Sequence, residues 1–170
     1  LEHDLTSLVV FPTKALAEDQ LRALRDLAER LGLKDAETRI VRYDGDTPRG
    51  ERQALRRDAR VVITNPDMIH RSLLPFHAYW SSFHQGLRWV VIDELHAYRG
   101  VLGTHVANVL RRLIRIAKLY GSDPQVVAAS ATVANPSELF NHLIGTVPAF
   151  VDANAEPRGA KEVLFWTPPV

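Results

Sequence analysis

Four short apolar runs constrain this chain more than any other feature. Leu8-Val9-Val10-Phe11, Val61-Val62-Ile63, Trp89-Val90-Val91-Ile92 and Val126-Val127-Ala128-Ala129 are uninterrupted, rich in β-branched residues, and bounded by polar clusters. A strand with one wet face alternates polar and apolar residues, whereas an uninterrupted one is expected where both faces are covered. Arg39 to Tyr43 is a weaker, alternating fifth candidate.

Helical patterns separate these runs. Ala15 to Leu31 sets Leu21, Leu24, Ala28 and Leu31 on one stripe and stops at Gly32. Thr47 to Arg57 is shorter and heavily charged. Asn65-Pro66 has a capping Asn and a first-turn Pro before Met68 to Leu73, and Asn135-Pro136 repeats the device before Ser137 to Leu143. His105 to Tyr120 is the longest pattern, with Val106, Val109, Leu113 and Ile116 at helical spacing. Repeated strand–helix alternation predicts an α/β domain, a mostly parallel sheet with helices on both faces.

Composition narrows the function classes. Apolar residues are 46% and charged residues 24% of the 170, the balance of a globular chain of one domain's length. No apolar run approaches the ~20 residues of a membrane-spanning helix. Cysteine is absent, which excludes disulfides, a thiol nucleophile and Cys-based zinc sites. A cytoplasmic location with no membrane partner is the expectation. The net charge is only +1, so any contact with nucleic acid must be local and made partly by backbone amides.

In parallel sheets ligands gather at the carboxyl ends of the strands, and the polar clusters stand there. Asp93 and Glu94 follow Ile92; adjacent carboxylates suit a metal–nucleotide site, one holding Mg²⁺ and the other orienting water, but they also cap turns. His96 alone carries no assignment. Ser130 and Thr132 follow Ala129, where hydroxyls either cap a turn or link a nucleotide site to domain movement. Pro12, Thr13 and Lys14 open a helix, whose free N–H groups and dipole make a phosphate seat compatible with N-capping by Thr13. Thr64, Asn65, Pro66 and Asp67 offer a second such seat, with His70 nearby. Asp44-Gly45-Asp46-Thr47 is a turn in which Gly45 is free to take positive φ. Trp80, Trp89 and Trp166 suit base stacking or, more ordinarily, a core. Arg111, Arg112 and Arg115 make either a basic or a merely solvated helix face.

Taken in order, the clusters resemble the motor core of superfamily 2 helicases of the DEAD/DEAH type. Phe11 to Gln20 is similar to motif Ia, Tyr43 to Thr47 to the glycine turn, and Thr64 to His70 to motif Ib. Asp93-Glu94-Leu95-His96 resembles motif II and Ser130-Ala131-Thr132 motif III. The stretch Asp93 to Ala107 with Leu110-Arg111-Arg112-Leu113 resembles the MrfA/YprA group, bacterial relatives of the fungal Hrq helicases. Pro157-Arg158-Gly159 and Trp166 to Pro169 are similar to the passage leading to a second motor domain.

The resemblance implies a RecA-like P-loop NTPase fold and an ATP-dependent 3′-to-5′ DNA helicase of DNA repair, with a C-terminal zinc domain. It implies ATP and Mg²⁺ as cofactors, and as partners single-stranded or partly duplex DNA (RNA being the alternative) and a second RecA-like domain of the same chain. Asp93 would hold Mg²⁺, Glu94 would activate water, His96 would contact phosphate or motif III, and Ser130 and Thr132 would couple hydrolysis to movement. Pro12, Thr13, Lys14, Gly45, Thr64, Asn65, Pro66 and Asp67 would lie along the tracking strand.

One departure stands out: the Gly-Lys-Ser/Thr phosphate loop of the family does not occur in the 170 residues. The expectation is a partial ATP-binding domain over 1–151, lacking its P-loop part, then a linker over 152–170, with no ATP hydrolysis by this chain alone. A catalytically silent nucleic-acid-binding or scaffold domain is the alternative.

Overall fold

The apolar runs are strands, and every pairing among them is parallel. A computed structural model describes residues 5–131, 134–151 and 166. Its strands are β1 (Thr6–Val10), β2 (Ile40–Arg42), β3 (Val61–Thr64), β4 (Leu87–Ile92) and β5 (Gln125–Ala128), ordered β2-β3-β1-β4-β5 in one sheet. β1 lies at its centre.

The period of two sorts side chains onto two faces. Leu8, Val10, Val62, Val90 and Ile92 point to one, where they meet the larger apolar cluster. Val9, Phe11, Val61 and Ile63 point to the other, against a smaller cluster. β1 and β3 bury both faces, as their uninterrupted runs predict. The edge strand β5 does not, because among the described residues nothing covers its second face, where Val127 is 41% exposed beside the partly exposed Trp89 of β4.

The smaller cluster is covered by α1 (Lys14–Arg30) and the short α2 (Ala36–Arg39), through Ala17, Leu21, Ala28 and Ala36. Leu31, expected on that stripe, is exposed, because Gly32 takes φ 70° and turns the chain away there. α3 (Arg52–Asp58) packs its Leu55 against the larger cluster and is shorter than expected. Its first turn is pre-empted by a side-chain-closed loop in which Asp46 N–H donates to Asp44 Oδ1 and Asp44 N–H to Thr47 Oγ1. Gly45 is not at positive φ, so the carboxylate of Asp44 builds this turn and glycine's freedom is not used.

The larger cluster is covered by α4 (Pro66–Met68) with its π-helical extension Ile69–Leu73, α5 (Ser81–Gln85), α6 (Gly100–Leu119) and α7 (Pro136–Ile144). α5 and the 3₁₀ turn before it, His77–Trp80, escape a periodicity argument because each is about one turn long. Trp80, Phe83 and His84 nevertheless anchor them in the core. Trp80 is therefore core, while Trp89 is partly exposed and Trp166 is exposed. Asn65 caps as expected, accepting from Met68 N–H at 2.9 Å. Asn135 does not: its Nδ2 donates to Glu138 Oε2 at 2.8 Å. Among the described residues no helix is long and apolar enough to cross a membrane. The expected linker and final strand, Val163 to Trp166, fall almost wholly outside the described residues.

Two features set stability. Gly103 lies so close to the preceding loop that a Cβ there would sit 2.5 Å from the Tyr98 carbonyl oxygen. Gly103→Ala should destabilise the fold by about 1–3 kcal/mol, the cost of forced overpacking, measured by chemical denaturation. His84 is fully buried, neither ring nitrogen is hydrogen-bonded among the described residues, and the ring stacks on Tyr120, whose hydroxyl meets His77 Nδ1 at 2.8 Å. Burial, with a smaller contribution from His77, lowers its pKa to about 4. In the unfolded chain the group titrates near its ordinary 6.5, so below that pH the unfolded state binds more protons. Stability should be full above pH 6.5 and fall by about 3 kcal/mol as pH drops toward 4, counting about 1.4 kcal/mol per unit. Urea midpoints across that range check this, and His84→Phe should flatten the curve.

Candidate functional site

Backbone hydrogen bonds carry the sheet past its last residues and tie the polar clusters into one edge. Phe11 N–H donates to Thr64 C=O (3.0 Å), Asp93 N–H to Val10 C=O (3.0 Å), and Ala129 N–H to Ile92 C=O (2.9 Å). Leu95 N–H closes the series on Ala129 C=O at 2.9 Å. The chain winds from β1 toward β2 over one face and from β4 toward β5 over the other. The direction reverses between β1 and β4, where open α/β sheets form their ligand crevice. The Pro12–Lys14 and Asp93–Glu94 clusters stand on either side of that point.

The carboxylate pair has an unusual backbone. Glu94 adopts φ 51°, ψ 48°, the left-handed region that costs an L-residue about 1–2 kcal/mol. Three hydrogen bonds hold it there. Asp93 Oδ1 accepts from Glu94 N–H at 2.9 Å, Glu94 C=O accepts from Ala97 N–H at 2.8 Å, and the next residue is pinned to β5 as above. Such over-determined strain concentrates at functional positions. Glu94 Oε2 lies 3.1 Å from His96 Nδ1, but the two are not aligned as a hydrogen bond, so their contact is only electrostatic.

No Lys or Arg pairs with Asp93 or Glu94 among the described residues, which leaves both half-exposed carboxylates available to a cation. No cluster of three or more His, Cys, Asp or Glu able to hold a metal occurs among the described residues. Mg²⁺ commonly takes only one or two carboxylates and fills its shell with water and phosphate oxygens, so the pair fits it. Beneath, Tyr98 is buried, and burial and then Asp93 push its hydroxyl well above the ordinary tyrosine pKa. Ser130 is exposed after β5; Thr132 lies outside the described residues.

The expected phosphate seats are partly built. Thr13 N-caps α1, accepting from Leu16 N–H at 3.4 Å. Lys14 is exposed, yet its ammonium is held by Asp46 at 2.6 Å, which raises the lysine pKa and lowers that of the aspartate. A phosphate at Lys14 must compete with that carboxylate. Pro12 and Gly45 lie in the same two loops. At the second seat Asn65, Pro66 and the exposed Asp67 open α4, and Asp67 pairs with Arg71 at 3.3 Å. The Thr64 side chain is buried and its hydroxyl donates to Tyr43 C=O at 2.7 Å, so it fastens the 43–47 loop to β3.

Sequence reasoning missed the charges that join these loops. Arg42 bonds Glu18 at 2.7 Å and lies 3.1 Å from the buried Asp44, linking α1, β2 and the turn. Arg112 on α6 reaches His70 at 3.4 Å, giving one of the three candidate arginines a place beside the second seat, whereas Arg111 bonds the His142 carbonyl. Separations of 24 and 42 residues leave no local signal for the Arg42–Glu18 and Arg112–His70 contacts.

The sequence profile of DEAD/DEAH box helicases matches residues 1–139. The ATP-dependent helicase YprA of Bacillus subtilis is 48% identical over 164 residues, covering 96% of this chain and 22% of that protein. The ATP-dependent helicase HRQ1 of Saccharomyces cerevisiae is 43% identical over 169 residues, 97% of this chain and 16% of the relative. The chain thus spans about a fifth of the relatives it matches. Among solved structures, the DUF1998 helicase MrfA bound to DNA and AMPPNP superposes with a TM-score of 0.88 at 47% identity, over 93% of this chain and 22% of that one. The DEAD-box helicase Mss116, at 17% identity and a TM-score of 0.66, shares the fold.

The backbone at Glu94 makes its own prediction. Glycine takes the left-handed conformation freely, so Glu94→Gly should leave stability unchanged or raise it by up to about 1 kcal/mol. A loss above about 1 kcal/mol in thermal denaturation would show that the carboxylate, not the backbone bonds, holds the loop.

Proposed function

Because the chain belongs to the DEAD/DEAH box helicase family, in the group of YprA, Hrq1 and MrfA, we propose that it supplies half of an ATP site and part of the strand-tracking surface of a DNA helicase. The observation that carries the site assignment is the strained Glu94, held beside Asp93 and β5 at the sheet's reversal point.

Asp93 is the residue to hold Mg²⁺, and Mg²⁺ when bound with ATP neutralises charge on the phosphates. Glu94 orients the attacking water and accepts its proton. His96, against the Glu94 carboxylate, and Ser130, on the strand end that Leu95 grips, connect this event to the neighbouring loops. Thr132 joins Ser130 in that role. The first-turn amides of α1, with Thr13, Lys14, Gly45, Asn65, Pro66 and Asp67, track the backbone of one strand without reading its bases. MrfA bound to DNA, and a mycobacterial Lhr bound to single-stranded DNA at 32% identity, support DNA over RNA as the substrate. Translocation 3′ to 5′, a place in DNA repair, work against a second RecA-like domain and a cytoplasmic location complete the proposal.

We further propose that residues 1–151 are one partial ATP-binding domain and that 152–170 lead toward the second. Without a Gly-Lys-Ser/Thr loop in its 170 residues, the chain alone does not turn over ATP. In a complete helicase carrying this domain, Glu94→Gln should lower DNA-stimulated ATPase by ~10²–10⁴-fold, as for loss of a positioned base, while nucleotide binding persists. Near-normal turnover, followed by phosphate release, overturns the assignment.

A further inference from the structure

The flank of the sheet concentrates charge that the proposed motor face leaves unused. Residues 49–60 contain five arginines (Arg49, Arg52, Arg56, Arg57 and Arg60) against Glu51 and Asp58, a local +3 in a chain of net +1. Arg57 makes an exposed bidentate pair with Asp58, its Nε and Nη2 donating at 2.7 and 2.8 Å, so a phosphate there must compete with that carboxylate, as at Lys14. Arg52 and Arg56, one turn apart on α3, have no carboxylate partner among the described residues.

They meet aromatic rings instead. The Arg56 guanidinium lies 5.5 Å from the ring centroid of Tyr79 and 5.9 Å from that of Trp80. Its Nη2 donates to Tyr43 Oη at 3.3 Å, and its buried Nε has no hydrogen-bond partner. Trp80 and Tyr43 are core residues, but Tyr79 is 69% exposed and Phe76, 6.5 Å away, is 49% exposed. Gln53, Arg56, Arg57, Tyr79 and Ser82 line an open cavity of about 500 Å³ between α3 and α5. Among the described residues, no hydrogen bond engages the Gln53 amide or the Ser82 hydroxyl.

We propose that this cavity is a second seat for single-stranded nucleic acid, in which a base stacks on the open face of Tyr79 and its phosphate is held by Arg57, Gln53 and Ser82. Arg56, fixed behind the ring, adds positive potential to the seat. An acidic peptide would satisfy the arginines but offers no planar ring to the exposed tyrosine, whereas every base has one.

The inference rests on the proposed nucleic-acid role of the loop at 44–47, because that loop leads to the seat. Arg52 Nε donates to Thr47 C=O at 3.1 Å, at the start of α3, and Arg56 and Arg57 lie at its far end. Seven helical residues rise about 10 Å. That is the span of about three stacked nucleotides at ~3.4 Å each. A strand leaving the motor face therefore needs only a few further nucleotides to reach Tyr79.

The test uses the complete helicase carrying this chain and fluorescein-labelled oligothymidylates of about 8 and 24 nucleotides, lengths chosen on the order of one and several binding footprints. Tyr79→Ala should weaken the 24-mer at least about fivefold, the lower bound for losing one stacked base, and leave the 8-mer within about twofold. Tyr79→Phe, which keeps the ring, should restore the 24-mer. Arg57→Gln should reduce the slope of log affinity against log salt by about 0.7, one single-strand phosphate contact. Equal 24-mer affinity for wild type and Tyr79→Ala overturns the seat, as does weakening of both lengths alike. Failure of the underlying motor-face reading looks different: Lys14→Ala would then leave both lengths unchanged.

Discussion

Val10 holds the working edge in register. Its side chain is fully buried, its carbonyl accepts Asp93 N–H, and the next residue's N–H donates to Thr64. A slip of one residue in β1 would exchange Leu8 and Val10 for Val9 and Phe11 across the two faces of the sheet. It would also separate the Pro12–Lys14 loop from the carboxylates. The burial of apolar side chains on both faces forbids that slip. The geometry of the edge is thus inherited from side chains buried within the sheet.

The edge spends some of that stability. Glu94 sits in a strained conformation maintained by three backbone-directed bonds, and Tyr98 below it buries a hydroxyl that has no partner among the described residues. Gly103 is needed because α6 starts hard against the same loop, so the carboxylate turn and the longest helix cannot be adjusted independently. The His84–Tyr120 stack stands apart, at the opposite end of α6, where Tyr120 caps the helix.

Charge is distributed by locality rather than by total. Lys14–Asp46, Arg42–Glu18 and Arg42–Asp44 fasten the loops at one end of the sheet; the exposed Lys14–Asp46 pair contributes mainly geometry, whereas Arg42 meets the buried Asp44 carboxylate. Arg52 and Arg56 of α3 have no such partner among the described residues and stand among aromatic rings. A net charge of +1 conceals both arrangements.

The sequence by itself determined the class of fold, because uninterrupted apolar runs separated by helical patterns leave a parallel α/β sheet as the economical solution. That the run in β5 is covered on one face only was decided by its place at the sheet edge. It also placed Asp93, Glu94, Thr13 and Asn65 at strand ends, since the polar residues there directly follow the runs. Local caps were legible where one side chain bonds its own turn, as at Asn65, and misleading where a neighbour competes, as at Asn135 with Glu138. Only the tertiary structure decided that Thr64 faces inward, that Lys14 is held by Asp46, that Glu94 is left-handed, and that Tyr79 is open while Trp80 is core. Each of these turns on contacts between segments far apart in the chain, or on which side of a short helix meets the sheet. Periodicity carries no information about either.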